Sequence, residues 1–305
     1  MSENEMELNF REILRKQWPG MPENDVISMA HSASVMGIYE LGADSLVKEG
    51  VPHGKLVDYD ITSEIFYPSS YHKYKVYLPA NYDPDKAYPF TLFLDGINIY
   101  LSPVVQANNV LDNLIAEGRI PAMIGIFLDP GNHGEGMPIY GGSFSDWNSN
   151  RSREYDSVDD TFVRFLLEEF LPKVETEYRL SADPDERCLC GASSAANAVF
   201  NAAWFRPDSF HKVICNVSSF VNIRGGNCQP DRIRKSPKKP LRVFIQDGEH
   251  DLNIIYGDWV LGNKTMVSAL ESRGYDYKYV LGKGGHNLEH GGAILPETME
   301  WMWRK

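Results

Sequence analysis

The chain has 305 residues and a formal net charge of −12, with 43% hydrophobic and 24% charged residues. That balance supports one large α/β domain with a sizeable core, and the excess acid argues against a nucleic-acid partner. No stretch approaches the roughly 18 apolar residues that a membrane span needs. The opening "MSENEMELNFREILRKQWPG" has no basic segment ahead of an apolar core, so neither a membrane association nor a secretory signal is expected.

In chain order, residues 1–55 read as an N-terminal extension packed on the main domain, residues 56–305. "NFREILRKQW" has the spacing of a short amphipathic helix, with Phe10, Ile13, Leu14 and Trp18 on one face. "KYKVYLP" (73–79) alternates as a strand does, and "YPFTLFLDG" (88–96) is a continuous apolar run of strand length. A helix is predicted over 104–120, a buried strand over 122–129, and a strong amphipathic helix over 159–178. Between them, residues 129–158 form an irregular stretch too long for a mere connector, holding Tyr140, Trp147, Arg151 and Tyr155.

"RCLCGAS" is the next strand and "SAANAVFNAAWF" the helix after it; further strands are predicted over 212–219, 241–248 and 275–285, with helices over 262–274 and 293–304. Strands alternate with helices and the central strands are apolar on both faces, which predicts a mostly parallel sheet covered by helices on both sides. Cys188 and Cys190 sit two apart and point to one face, and with Cys215 and Cys228 they show no CxxC spacing. Small core residues in a reducing compartment explain them best, and a cytoplasmic location is expected.

"CGASSA" places two serines where a strand turns into a helix. Serine is a preferred helix cap, so capping alone accounts for the pattern. Gly191-Ala192-Ser193-Ser194-Ala195 also nearly matches the Gly-x-Ser-x-Gly nucleophile elbow. In that reading Ser193 is the nucleophile and the Ser194 amide faces the developing oxyanion. A serine nucleophile needs a base and an orienting acid, which follow it in this fold in the order acid, then histidine. "LRVFIQDGEHD" offers Asp247, Glu249 and Asp251 directly after a strand, and "YKYVLGKGGHN" offers His286 after the last one. His290 and His250 are weaker bases by position. The second oxyanion donor is expected at the backbone of Ile97 or Asn98, after the strand ending in Asp95-Gly96. No histidine, cysteine or acidic set has metal spacing, and no glycine run has a phosphate-loop or dinucleotide pattern, so no metal or cofactor is expected.

These segments, with "VYLPANYDP", "FLDGINIYL", "VFIQDGEHDLN" and "GGHNLEHGGAILPETMEWMWR", resemble the enterochelin-esterase-like branch of the esterase D superfamily of α/β-hydrolases, which groups with feruloyl and acetylxylan esterases. The resemblance covers residues from about 50 to 304. It implies a three-layer αβα sandwich and ester hydrolysis through an acyl-enzyme. It maps the nucleophile to Ser193 and the base to His286, and the Gly-x-x-Asp segment of related feruloyl esterases favours Asp251 as the acid. The chain departs from the family in carrying Ala195-Ala196 where relatives read Gly-Gly.

The expected substrate is a small-molecule or oligosaccharide ester, with acetyl or feruloyl groups on a sugar favoured by family analogy. Asn98, Arg151, Tyr155, Arg224 and His290 are the residues expected to line its pocket. An acyltransferase using the same three residues, or a non-catalytic binding homologue, are the competing expectations.

Overall fold

The apolar runs lie side by side in one eight-stranded sheet. The computed structural model describes residues 3–17, 19–132 and 150–305. The strands are β1 (Lys55–Ser63), β2 (Ser70–Leu78), β3 (Phe90–Leu94), β4 (Ile124–Leu128), β5 (Arg187–Ala192), β6 (Lys212–Asn216), β7 (Arg242–His250) and β8 (Asp276–Gly285). Their order across the sheet is β1-β2-β4-β3-β5-β6-β7-β8. The β1–β2 and β2–β4 pairs are antiparallel and the remaining pairs are parallel.

Every residue of β3, β4 and β6 is buried, as a parallel sheet covered on both faces requires. Successive side chains alternate between two cores. Leu92, Leu94, Leu189, Val213 and Val243 join one, with the helical residues 161–175, helix Ser194–Phe205 and helix Trp259–Ser272. Phe93, Phe127, Ile214 and Phe244 join the other, with helices Ala107–Ala116 and Leu295–Trp303. This is the α/β-hydrolase three-layer sandwich expected from the sequence. Cys188 and Cys190 share a face, and all four cysteines are free.

The strand β1 escaped the sequence reading because it is a half-exposed edge strand, with only Ser63 fully buried. The predicted N-terminal helix is Glu3–Gln17; Leu14 is buried with Val26 and Ala30 of a second helix, Glu23–Ser34, while Ile13 faces solvent. Trp18, Tyr140 and Trp147 lie outside the described residues. Among the described residues no helix is long and apolar enough to cross a membrane.

Candidate active site

The carboxyl ends of β5, β7 and β8 meet at one rim of the sheet. At the end of β5 the chain turns so tightly that Ser193 takes φ 59° and ψ −124°, a conformation few residues with a side chain adopt. Its amide is tied down by the Asn216 carbonyl at 2.9 Å. Gly191 makes the turn feasible, since a Cβ there would sit 2.5 Å from the Ala195 carbonyl carbon and oxygen. The methyls of Ala195 and Ala196 instead point into the buried core under the helix, so the Ala-Ala departure is absorbed by packing.

His286 follows the glycines that end β8. Its Nε2 lies 2.8 Å from Ser193 Oγ and its Nδ1 lies 2.6 Å from Asp251 Oδ1. Asp251 is the first residue beyond β7 and also accepts from the Leu252 amide at 2.6 Å. Burial works against its charge, but the His286 imidazole and these hydrogen bonds outweigh it and hold the carboxyl below its ordinary range. Glu249 and His250 face solvent; His250 meets His31 at 3.3 Å.

Asp247 lies four residues earlier, inside β7 opposite Leu281, and is fully buried. Its Oδ1 accepts from the Gly248 amide at 2.9 Å, and its carboxyl faces that of Asp251 within hydrogen-bonding reach. Burial, then the Asp251 charge, push Asp247 far above the usual carboxylate range. The Oδ2 atoms of both residues are buried without a hydrogen-bond partner, which favours the neutral, protonated form of Asp247.

Ser194 opens the helix Ser194–Phe205, so its amide has no acceptor within the helix. At the other expected oxyanion donor the backbone amides meet a carboxylate. The Ile97 amide donates to Asp129 Oδ1 at 3.1 Å, the Asn98 amide to the same oxygen at 3.4 Å, and Asn98 Nδ2 to Oδ2 at 2.6 Å. Both backbone amides are therefore engaged by Asp129 in this state, while Asn98 Nδ2 keeps a second N–H beyond the one given to Oδ2. Burial, then the neighbouring Asp95, push the Asp129 carboxyl up to about 7.

The expected pocket residues are mostly occupied elsewhere. Arg151 forms a two-pronged ion pair with the buried Asp95, at 2.7 Å for the closest contact, so its charge is already matched. Tyr155 is fully buried. His290 is buried too, stacked on Tyr39 at 4.2 Å and beside Gln246 at 3.3 Å. Arg224 alone of the set stays exposed, with its Nε 3.3 Å from Ser152 Oγ. Among the described residues no group of three or more histidines, cysteines or acids is arranged to hold a metal ion.

Sequence reading missed Ser219, whose hydroxyl lies 3.2 Å from Ser193 Oγ, and Trp259, whose indole Nε1 donates to Ser219 at 3.1 Å. The position of Ser219 just past β6 was the available signal, since the same rule located the other site residues. It also missed Ser32, whose hydroxyl accepts from the His286 amide.

A family model described as a putative esterase matches residues 68–273. The uncharacterized protein YbbA of Bacillus subtilis is 22% identical over 244 residues, covering 76% of this chain and 93% of its own. A solved ferulic acid esterase superposes with a TM-score of 0.66 at 19% identity, over 83% of this chain and 99% of its own. The ferulic acid esterase of the anaerobic fungus Anaeromyces mucronatus gives 0.65 at 20% identity, over 88% and 98%. The enterobactin esterase of Shigella flexneri gives 0.63 at 16% identity, over 84% of this chain and 62% of that longer one.

Proposed function

The chain belongs to the putative esterase family of carboxylic ester hydrolases, and from that premise we propose that it works through an acyl-enzyme on Ser193. His286 takes the Ser193 proton as Oγ attacks the ester carbonyl, while the Ser194 amide and the dipole of its helix stabilise the oxyanion. The imidazolium, steadied by Asp251, then protonates the leaving alcohol. Water, activated by the same imidazole, attacks the acyl carbonyl and returns the proton to Ser193. The observation that carries this reading is His286 held between two partners, with Nδ1 2.6 Å from Asp251 and Nε2 2.8 Å from Ser193. The strained φ of Ser193 adds to it, because such strain is retained where surrounding structure imposes it for function.

For the substrate we propose an acetyl or feruloyl ester of a sugar or oligosaccharide. The support is the similarity of fold to ferulic acid esterases that this chain matches nearly end to end. Two experiments test the two levels. Ser193→Ala, folded and assayed on p-nitrophenyl acetate, is expected to lose turnover by about 10³-fold or more; undiminished turnover removes Ser193 from the mechanism. A panel of acetylated and feruloylated sugars set against simple aryl esters is expected to favour the sugars in kcat/KM; equal or lower values reject the sugar assignment alone.

A further inference from the structure

Ser219 is a second neighbour of the Ser193 hydroxyl, beside His286. It follows β6 through Val217, which holds φ 40°, a genuine outlier for a β-branched residue. The Val217 amide donates to the Gln246 carbonyl at 2.7 Å, and the Ser219 amide donates to the Ser193 carbonyl at 3.1 Å. Asn263 Nδ2 grips the Ser218 and Trp259 carbonyls, each at 3.0 Å, joining this turn to the helix that carries Trp259. Ser219, Trp259 and Asn263 are all buried, so the arrangement has little freedom to relax.

Hydrogen-bond direction is fixed by chemistry. An indole N–H only donates, so Ser219 Oγ accepts from Trp259 Nε1 at 3.1 Å. The single Ser219 proton is left for its other neighbour, Ser193 Oγ at 3.2 Å. Ser193 in turn gives its own proton to His286 Nε2 at 2.8 Å. The Trp259 ring also meets the His286 ring edge-on, with centroids 5.9 Å apart.

We propose that Ser219 is a further catalytic residue, a hydroxyl donor aimed by Trp259 at the nucleophilic oxygen itself. This rests on the acyl-enzyme reading above. In acylation the Ser193 proton passes to Nε2 while the Oγ–carbon bond forms and the carbonyl electron pair moves onto oxygen. In deacylation the Oγ–carbon bond breaks, the electron pair returns to Oγ, and the proton comes back from Nε2. Oγ carries most negative charge as it leaves, so the Ser219 hydrogen bond strengthens most in that step. It is made to the reacting oxygen, which separates it from the amides that serve the carbonyl oxygen.

The test is stopped-flow hydrolysis of p-nitrophenyl acetate by the full chain. With Ser219→Ala, kcat is expected to fall about 10- to 100-fold, the worth of a hydrogen bond to a charged group. KM is expected to fall with it, because acyl-enzyme accumulates and the burst of p-nitrophenol becomes larger relative to steady turnover. Trp259→Phe keeps the ring but frees the Ser219 hydroxyl to rotate, and is expected to slow deacylation by a smaller factor. It also serves as the readout if Ser219→Ala does not fold. Wild-type burst size and kcat in the folded Ser219 variant, or in Trp259→Phe when that variant alone folds, would overturn the proposal. Fluorophosphonate labelling of the wild type separates this from the reading beneath it. A labelled Ser193 with unaffected variants rejects Ser219 alone, whereas an unlabelled Ser193 rejects the acyl-enzyme reading itself.

Discussion

The His286 backbone amide donates to the Ser32 hydroxyl at 2.7 Å, so a residue of the N-terminal helix Glu23–Ser34 grips the main chain of the proposed base. The segment that follows adds to the grip. Asn287 Nδ2 donates to the Val35 carbonyl at 3.1 Å, the Gly37 amide to Glu289 at 2.7 Å, and the Lys283 amide to Tyr39 Oη at 2.8 Å. Gly285 lies so close to the Ser32 carbonyl that any Cβ would overlap it. The N-terminal extension is therefore built into the rim that carries the histidine.

From this contact follows a first expectation. Ser32→Ala leaves the His286 amide without its partner and is expected to lower stability by about 1 kcal/mol. Gly285→Ala pushes the histidine loop off the Ser32 carbonyl and is expected to reduce kcat by about tenfold or more with a smaller change in KM. Thermal melts and steady-state kinetics on both variants check this; wild-type kcat in Gly285→Ala would show that the loop position does not matter.

Asp247 and Asp251 invite a second. Burial and the Asp251 charge raise Asp247 in the folded protein, whereas in the unfolded chain it titrates near the ordinary carboxylate value of about 4. Above that value the folded state holds a proton that the unfolded state has released. Its contribution to stability is thus fully present only at acid pH and declines as pH rises, by at most about 1.4 kcal/mol per pH unit. Asp247→Asn keeps a donor for Asp251 and removes the titration. The melting-temperature difference, variant minus wild type, is expected to grow from pH 5 to pH 9 while kcat stays within a few-fold. A constant difference would place no buried proton on Asp247.

A third concerns the elbow. Gly191→Ala sets a methyl against the Ala195 backbone, so Ser193 must move, and turnover is expected to fall by about 10²-fold or more. Ala195→Gly removes a buried methyl and adds helix flexibility, and is expected to lower stability by about 1–2 kcal/mol with turnover nearly unchanged. Paired denaturation curves and kinetics distinguish the two. A large rise in turnover for Ala195→Gly would mean that the Ala-Ala pair does restrain activity.

The rim of this site was legible in the sequence because strand ends are. Ser193, Asp251 and His286 each stand just beyond the end of a strand that the sequence pattern marks. The choice among Asp247, Glu249 and Asp251 was not legible from the residues alone. It depends on β7 continuing to His250, which leaves Asp247 inside the sheet, and the apolar pattern stops before that point. The acceptor that the Ile97 amide meets was not legible for a related reason: Asp129 arrives from the end of a different strand. Ser32 carries no local signature, since its meaning comes from the residue across the rim, whereas Ser219 stands just past a strand end as the other site residues do. Arg151 and Tyr155 looked like pocket residues because they occupy a long irregular segment, yet both are turned to internal partners or buried.

The most direct measurement is the mass of the protein after reaction with a fluorophosphonate, followed by peptide mapping of the adduct. A single adduct on Ser193 is expected, absent in Ser193→Ala and slowed by about 10³-fold in His286→Ala. An unmodified wild-type chain, or an adduct on another serine, would contradict the claim that Ser193 is the activated nucleophile.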